Sequence, residues 1–227
     1  MLNEGRFYLG HLGPIPLYVH WTFLFLVLMV YQSVPSNGSL TTGIMILAVL
    51  LLGIVLHELG HGMAARIQGA RDVTITLWAM GGMCSSVRDP LPRREIIILA
   101  AGPAVSAALS WGSVLALYLL DQSDPGAYRG TLTWQFLQLS AAINWMLFLF
   151  NMLPIFPLDG GQITYYVALL ATKRQRVAAN FSLTLACIGG FAYLWWSTHY
   201  FTHFGNGFIY SLFLIGWLLF NAFRALR

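Results

Sequence analysis

LTTGIMILAVLLLGIVLHELGHGMAARIQ, residues 40–68, is apolar along most of its length and then admits His57, Glu58 and His61. It is longer than the ~20 residues that carry a helix across a ~30 Å hydrocarbon layer, so it reads as a membrane span with ionisable groups inside it. The composition agrees: 58% of the 227 residues are hydrophobic and 9% are charged, against roughly 25% charged in soluble domains. Further apolar runs of spanning length lie near Leu17–Val34, Glu95–Leu120, Leu132–Leu153, Val177–Tyr200 and Phe208–Ala225. The expected fold class is therefore an all-α polytopic membrane protein of about six transmembrane helices, forming one domain over residues 1–227. The polar, Pro/Gly-rich opening MLNEGRFYLGHLGPIPL is read as carrying no removable signal peptide.

Lysine and arginine are retained on the cytoplasmic side in short loops. Arg6 precedes the first span, Arg66, Arg71, Arg88, Arg93 and Arg94 follow the second, Lys173, Arg174 and Arg176 follow the fourth, and Arg224 and Arg227 end the sixth. Arg129 alone falls in an opposite loop, beside Asp121 and Asp124. Both termini are thus expected in the cytoplasm, and His57, closer to Gln68 than to Leu40, on that side of the bilayer. The net charge of +4 reports this topology; basic residues dispersed at membrane borders make no nucleic-acid face. The expected location is a prokaryotic cytoplasmic membrane.

Of the acidic residues, Glu58 and Asp159 are the two that fall inside spans rather than at their ends. An ionisable group in hydrocarbon is costly and by default marks function. At about 100° per residue, His57 and His61 stand about 40° apart on one helical face with Glu58 beside them, the H-E-x-x-H arrangement of a zinc hydrolase. Catalytic zinc takes three protein ligands and keeps one position for water, and Asp159 is the intramembrane carboxylate left to serve as the third. Its setting, NMLPIFPLDGG (residues 151–161), breaks the fourth helix, because Pro154 and Pro157 remove backbone donors and free the carbonyls of Phe150 and Leu153. Gly160 and Gly161 then permit a tight turn. Broken backbone at membrane depth is tolerated where protein or a water-filled cavity satisfies it, and a hydrolase needs such water.

HELGH in an early span followed by N-x-L-P-x-x-P-L-D-G-G in a later one resembles the site-2 protease family of intramembrane zinc metalloproteases, over essentially the whole chain as that family's membrane core. The resemblance implies one Zn2+ per chain on His57, His61 and Asp159, with Glu58 as the general base that activates water and then protonates the leaving amine. It implies that Asn151 hydrogen-bonds the substrate carbonyl or oxyanion. The implied reaction is hydrolysis of a peptide bond in or near the transmembrane segment of a single-span membrane protein or membrane peptide, as in regulated intramembrane proteolysis. One departure is visible: the family's G-P-x-x-N reads Gly102-Pro103-Ala104-Val105-Ser106 here, and Ser106 is not placed in the catalytic set. The chain shows no PDZ-like insertion or cystathionine-β-synthase-type domain, so regulation is expected from a membrane partner.

Between the second and third spans, Val73, Ile75 and Leu77 alternate with Thr74, Thr76 and Trp78 before Gly81-Gly82. Period two indicates strands, and the segment is similar to the family's membrane-associated hairpin; a plain interfacial loop is the alternative. Such a hairpin could present an unwound substrate by strand addition. His20 is read as an interface or packing histidine rather than a ligand, His199 and His203 as interfacial residues with Trp195, Trp196 and Tyr200, and Asn144 as an interhelical hydrogen-bonding residue. Cys84 and Cys187 form neither a disulfide framework nor a C-x-x-C pair. Two other functions compete with the protease, a metal or proton transporter and a catalytically inactive membrane chaperone of the same fold. A transporter commonly shows matched repeats, which this sequence lacks, and Glu58 argues against an inactive relative.

Overall fold

The computed structural model describes residues 4–33, 39–200 and 207–226. In chain order they form β1 (Arg6–Leu12), β2 (Ile15–His20), α1 (Phe23–Ser33), α2 (Leu40–Ile67), β3 (Arg71–Trp78), β4 (Gly81–Val87), α3 (Pro92–Ser123), α4 (Leu132–Asn151), α5 (Asp159–Thr172), α6 (Gln175–Tyr200) and α7 (Gly207–Leu226). The chain divides into two compact units, one of Met1–Asp89 with Ala101–Phe148 and the other of Pro90–Ala100 with Leu149–Arg227.

The first unit is built on a four-stranded sheet ordered β1-β2-β3-β4. The expected hairpin is present as β3 and β4, paired antiparallel from Arg71↔Val87 to Trp78↔Gly81, with Gly81 at φ +119 closing a turn that few other residues could make. Val73, Ile75 and Leu77 are buried, and so is Thr76 between them. The sheet is larger than the sequence reading allowed, because β2 runs parallel to β3 through Leu17↔Ile75, Tyr18↔Thr76 and Val19↔Leu77. This corrects the first expected span. Leu17–His20 is strand, and the helix that follows is only 11 residues long, about 16 Å at 1.5 Å per residue. Pro16 disfavours a helix there and sits outside the β2–β3 ladder, opposite His11 of β1.

Helix α2 lies on this sheet through Gly62, where an added Cβ would stand 2.7 Å from Ile15 Cδ1. Phe23, Ile54 and Leu77 close the space between α1, α2 and β3. His20 behaves as a packing residue: it is buried, its Nε2 donates to the Glu4 carbonyl at 3.0 Å, and its Nδ1 meets Thr22 Oγ1 at 2.8 Å. Serines make the α3–α4 hydrogen bonds, Ser113 Oγ to Ser140 Oγ and Ser110 Oγ to the Ala141 carbonyl, both at 2.8 Å. Asn144 therefore departs from its interhelical reading, donating to the Ser140 carbonyl one turn back in its own helix while its Oδ1 faces Gly53 of α2. Arg129 forks onto Asp121 at 3.1 and 3.2 Å.

In the second unit, Ile155, Ala186, Ile215 and Leu218 form the buried cluster. Helix α5 is an element the sequence reading did not contain. His203 lies outside the described residues, as does the side chain of His199. Among the described residues, three helices are long and apolar enough to cross a bilayer: Leu40–Ile67, Pro92–Ser123 and Gln175–Trp195. Helix α4 has the length at 20 residues, but Gln135, Gln138, Ser140 and Asn144 dilute it.

Candidate active site

His57, Glu58 and His61 occupy the inward face of the second half of α2, and all three are buried. The i, i+4 spacing brings the two imidazoles edge to face with centroids 4.8 Å apart, and their Nε2 atoms stand 3.1 Å from each other. Two ligands at about 2.0–2.1 Å from a tetrahedral zinc lie about 3.3 Å apart, so the pair is spaced for one ion. His57 turns its other nitrogen, Nδ1, to Ser106 Oγ at 2.9 Å. Asp159 is also buried, and one ligand atom from each of His57, His61 and Asp159 lies within 4.8 Å of the others. Two neutral imidazoles and one carboxylate make a zinc-type donor set. The three residues singled out as ligands are thus placed to hold a metal ion.

The backbone around Asp159 shows how the Pro-rich break is satisfied. Helix α4 ends at Asn151, and the carbonyls freed by Pro154 and Pro157 are taken up locally: Leu153 N–H donates to Phe150 O at 3.2 Å and Ile155 N–H to Leu153 O at 2.8 Å. Asp159 then opens α5, where a carboxylate complements the positive end of the helix dipole. Gly160 and Gly161 correct the expected turn, since both are helical and serve close approach instead. A Cβ on Gly160 would stand 2.3 Å from the Met152 carbonyl oxygen, and one on Gly161 2.4 Å from Phe156 N. The obstacle is backbone in both cases, so Gly161→Ala is expected to destabilise the fold by about 1–3 kcal/mol, as overpacking does, and to loosen metal retention with it. A thermal melt at wild-type midpoint would contradict this. Asn151 is half-buried at the end of α4, outside the set of ligand residues.

Three residues beyond the sequence reading belong to this site. Ser106 is fully buried against His57. Gly102, one turn earlier on α3, lies under the His61 ring, where a Cβ would be 2.2 Å from Nε2. Gly82, on β4, lies under Glu58, where a Cβ would be 2.3 Å from Cγ and 2.7 Å from Oε1. A glycine in a helix or strand interior is the signal available in sequence for such close approach; which side chain it accommodates is set by contacts far along the chain. Cys84 is a free cysteine, and burial pushes its thiol up to about 12, with the Glu58 charge adding to the effect and Arg88 opposing it. Cys187 is likewise free.

Comparison with known proteins places this arrangement. The model of Peptidase family M50 matches residues 45–125 and 122–195, which take in the HELGH helix and the Asp159 segment. The chain is 33% identical over 181 residues to Zinc metalloprotease MJ0392 of Methanocaldococcus jannaschii, covering 77% of this chain and 50% of that one. It spans about half the length or less of the curated relatives it matches. The solved Site-2 Protease from Methanocaldococcus jannaschii superposes with a TM-score of 0.60 at 26% identity, covering 98% of this chain and 95% of that one. The chain belongs to peptidase family M50, the family of the site-2 proteases.

Proposed function

We infer that the protein is an intramembrane zinc metalloprotease of the HExxH type, hydrolysing a peptide bond within or near the transmembrane segment of a single-span membrane protein or membrane peptide. The observation that carries this reading is the buried convergence of His57, His61 and Asp159 with Glu58 beside the two histidines on a helix apolar enough to cross a bilayer. Zinc, when bound, supplies the Lewis acidity that acidifies a coordinated water and polarises a carbonyl. Glu58 accepts the proton of the attacking water and returns it to the amine nitrogen of the leaving strand, so the peptide bond breaks with no net proton change at the carboxylate. Asn151 donates its side-chain amide to the substrate carbonyl as negative charge develops there. Strand β4 is an edge of the sheet and carries Gly82 against Glu58, so a substrate added alongside β4 in extended form passes close to the base.

The same reading has α1, α4 and α7 embedded beside the three spanning helices, six membrane helices in all, with both termini on the cytoplasmic side as the Lys/Arg bias directs. Regulated intramembrane proteolysis, with a membrane partner controlling access, is the biological form it takes. The test is direct. Wild type and Glu58→Gln are purified in detergent or reconstituted, bound zinc is measured, and cleavage of a panel of single-span substrates is followed with and without chelator. Zinc near one per chain in both, with turnover reduced about 10²–10⁴-fold in Glu58→Gln, is the expected result. Equal cleavage by the two, or cleavage indifferent to chelator, removes Glu58 and the metal from the mechanism.

A further inference from the structure

We propose that Ser106 is a positioning residue for the metal centre, holding His57 in the tautomer and ring orientation that present Nε2 to the ion; this rests on the metalloprotease reading above. An imidazole offers two nitrogens, and which one binds is fixed by the hydrogen bond the other makes. Here the partner of Nδ1 is the Ser106 hydroxyl at 2.9 Å. With Nδ1 carrying the ring proton and Ser106 Oγ accepting it, the Nε2 lone pair is left for the metal. The opposite tautomer would put the proton on Nε2, 3.1 Å from His61 Nε2, where it can bridge the two histidines and occupy the place of the ion.

The hydroxyl is shut away from solvent. Ser106 is fully buried and His57 is 4% exposed, so no bulk water can replace a lost partner of Nδ1. Helices α2 and α3 run past each other in a four-residue register, Gly102 under His61 and Ser106 on His57. Their close approach is enforced at Gly60, where a Cβ would be 2.8 Å from the Ala101 carbonyl oxygen. A short hydroxyl suits this narrow gap. Ser110, one turn further along α3, uses its own hydroxyl on the Ala141 carbonyl and supplies a control of the same chemistry pointed elsewhere.

The experiment compares wild type, Ser106→Ala and Ser110→Ala as full chains in detergent. Zinc dissociation constants are taken by chelator competition at constant pH, visible spectra of the Co2+-loaded proteins are recorded, and thermal midpoints are measured without metal. Loss of an outer-shell partner of a ligating histidine typically weakens metal binding about 10–100-fold. Ser106→Ala is expected to show that loss and an altered Co2+ spectrum with a metal-free midpoint close to wild type. Ser110→Ala is expected to bind zinc as wild type does. Wild-type zinc affinity in Ser106→Ala, or an equal loss in Ser110→Ala, overturns the positioning role while leaving the metalloprotease reading standing. Failure of wild type itself to bind zinc stoichiometrically overturns both.

Discussion

Gly102→Ala is expected to yield a folded protein that has lost its zinc. The added methyl would stand 2.2 Å from His61 Nε2, 2.5 Å from Cε1 and 2.7 Å from Cδ2, distances at which one partner has to move. The imidazole is the tip of a side chain, so it swings while the α3 backbone stays. Alanine in a helix interior is also favoured over glycine by about 1 kcal/mol, which offsets part of the repacking cost. The ring tip that moves carries the ligand atom, and zinc sites keep their ligand distances to within about 0.2 Å. Removing a supporting hydrogen bond costs about 10–100-fold in metal affinity, and displacing a ligand should exceed that. Zinc content and thermal midpoint measured on one preparation decide it: stoichiometric zinc at wild-type affinity would show that the ring has room this structure does not give it.

On the proposed mechanism, Gly82→Ala should produce the complementary result, a protein that keeps its zinc and loses turnover. The methyl would collide with Glu58, 2.3 Å from Cγ and 2.7 Å from both Cδ and Oε1, while no atom of His57 or His61 lies among its nearest neighbours. A displaced carboxylate can no longer reach the attacking water, and the contribution of a general base is about 10²–10⁴-fold. Zinc affinity should match wild type. Paired loss of zinc and activity in Gly82→Ala would mean that β4 supports the whole centre rather than the base alone. The two glycine variants therefore separate metal holding from proton transfer without altering a single ligating or proton-carrying group.

The features legible in sequence share a local origin. HELGH shows itself within five residues because helical periodicity alone brings its imidazoles together. Pro154 and Pro157 end α4 through the missing donors of their own residues, and the alternation from Val73 to Trp78 marks a strand whose partner follows after two residues. The features that were not legible depend on distant neighbours. Leu17–His20 has the apolar content of a span, and only parallel pairing with Ile75–Leu77 makes it a strand. Gly160 and Gly161 look like a turn until the carbonyls of Met152 and Ile155 are seen pressing on them. Ser106 reads as a weakened family position, yet it meets a histidine 49 residues away.

The parallel placement of β2 against β3 also decides on which side the sheet can grow. With β2 seated there, β3 has no edge left, and the two outward margins belong to β1 and β4. The margin at β1 carries its own irregularity: its register slips between Tyr8 and Gly10 with Gly10 at φ +143, the kind of feature that blunts a sheet edge against unwanted pairing, whereas the slip of the β3–β4 ladder, between Arg71 and Thr74, falls on the inner strand β3. On the proposed protease reading, an arriving extended segment would find its regular margin beside Glu58, and the N-terminal hairpin would act as a directional stop for recruitment.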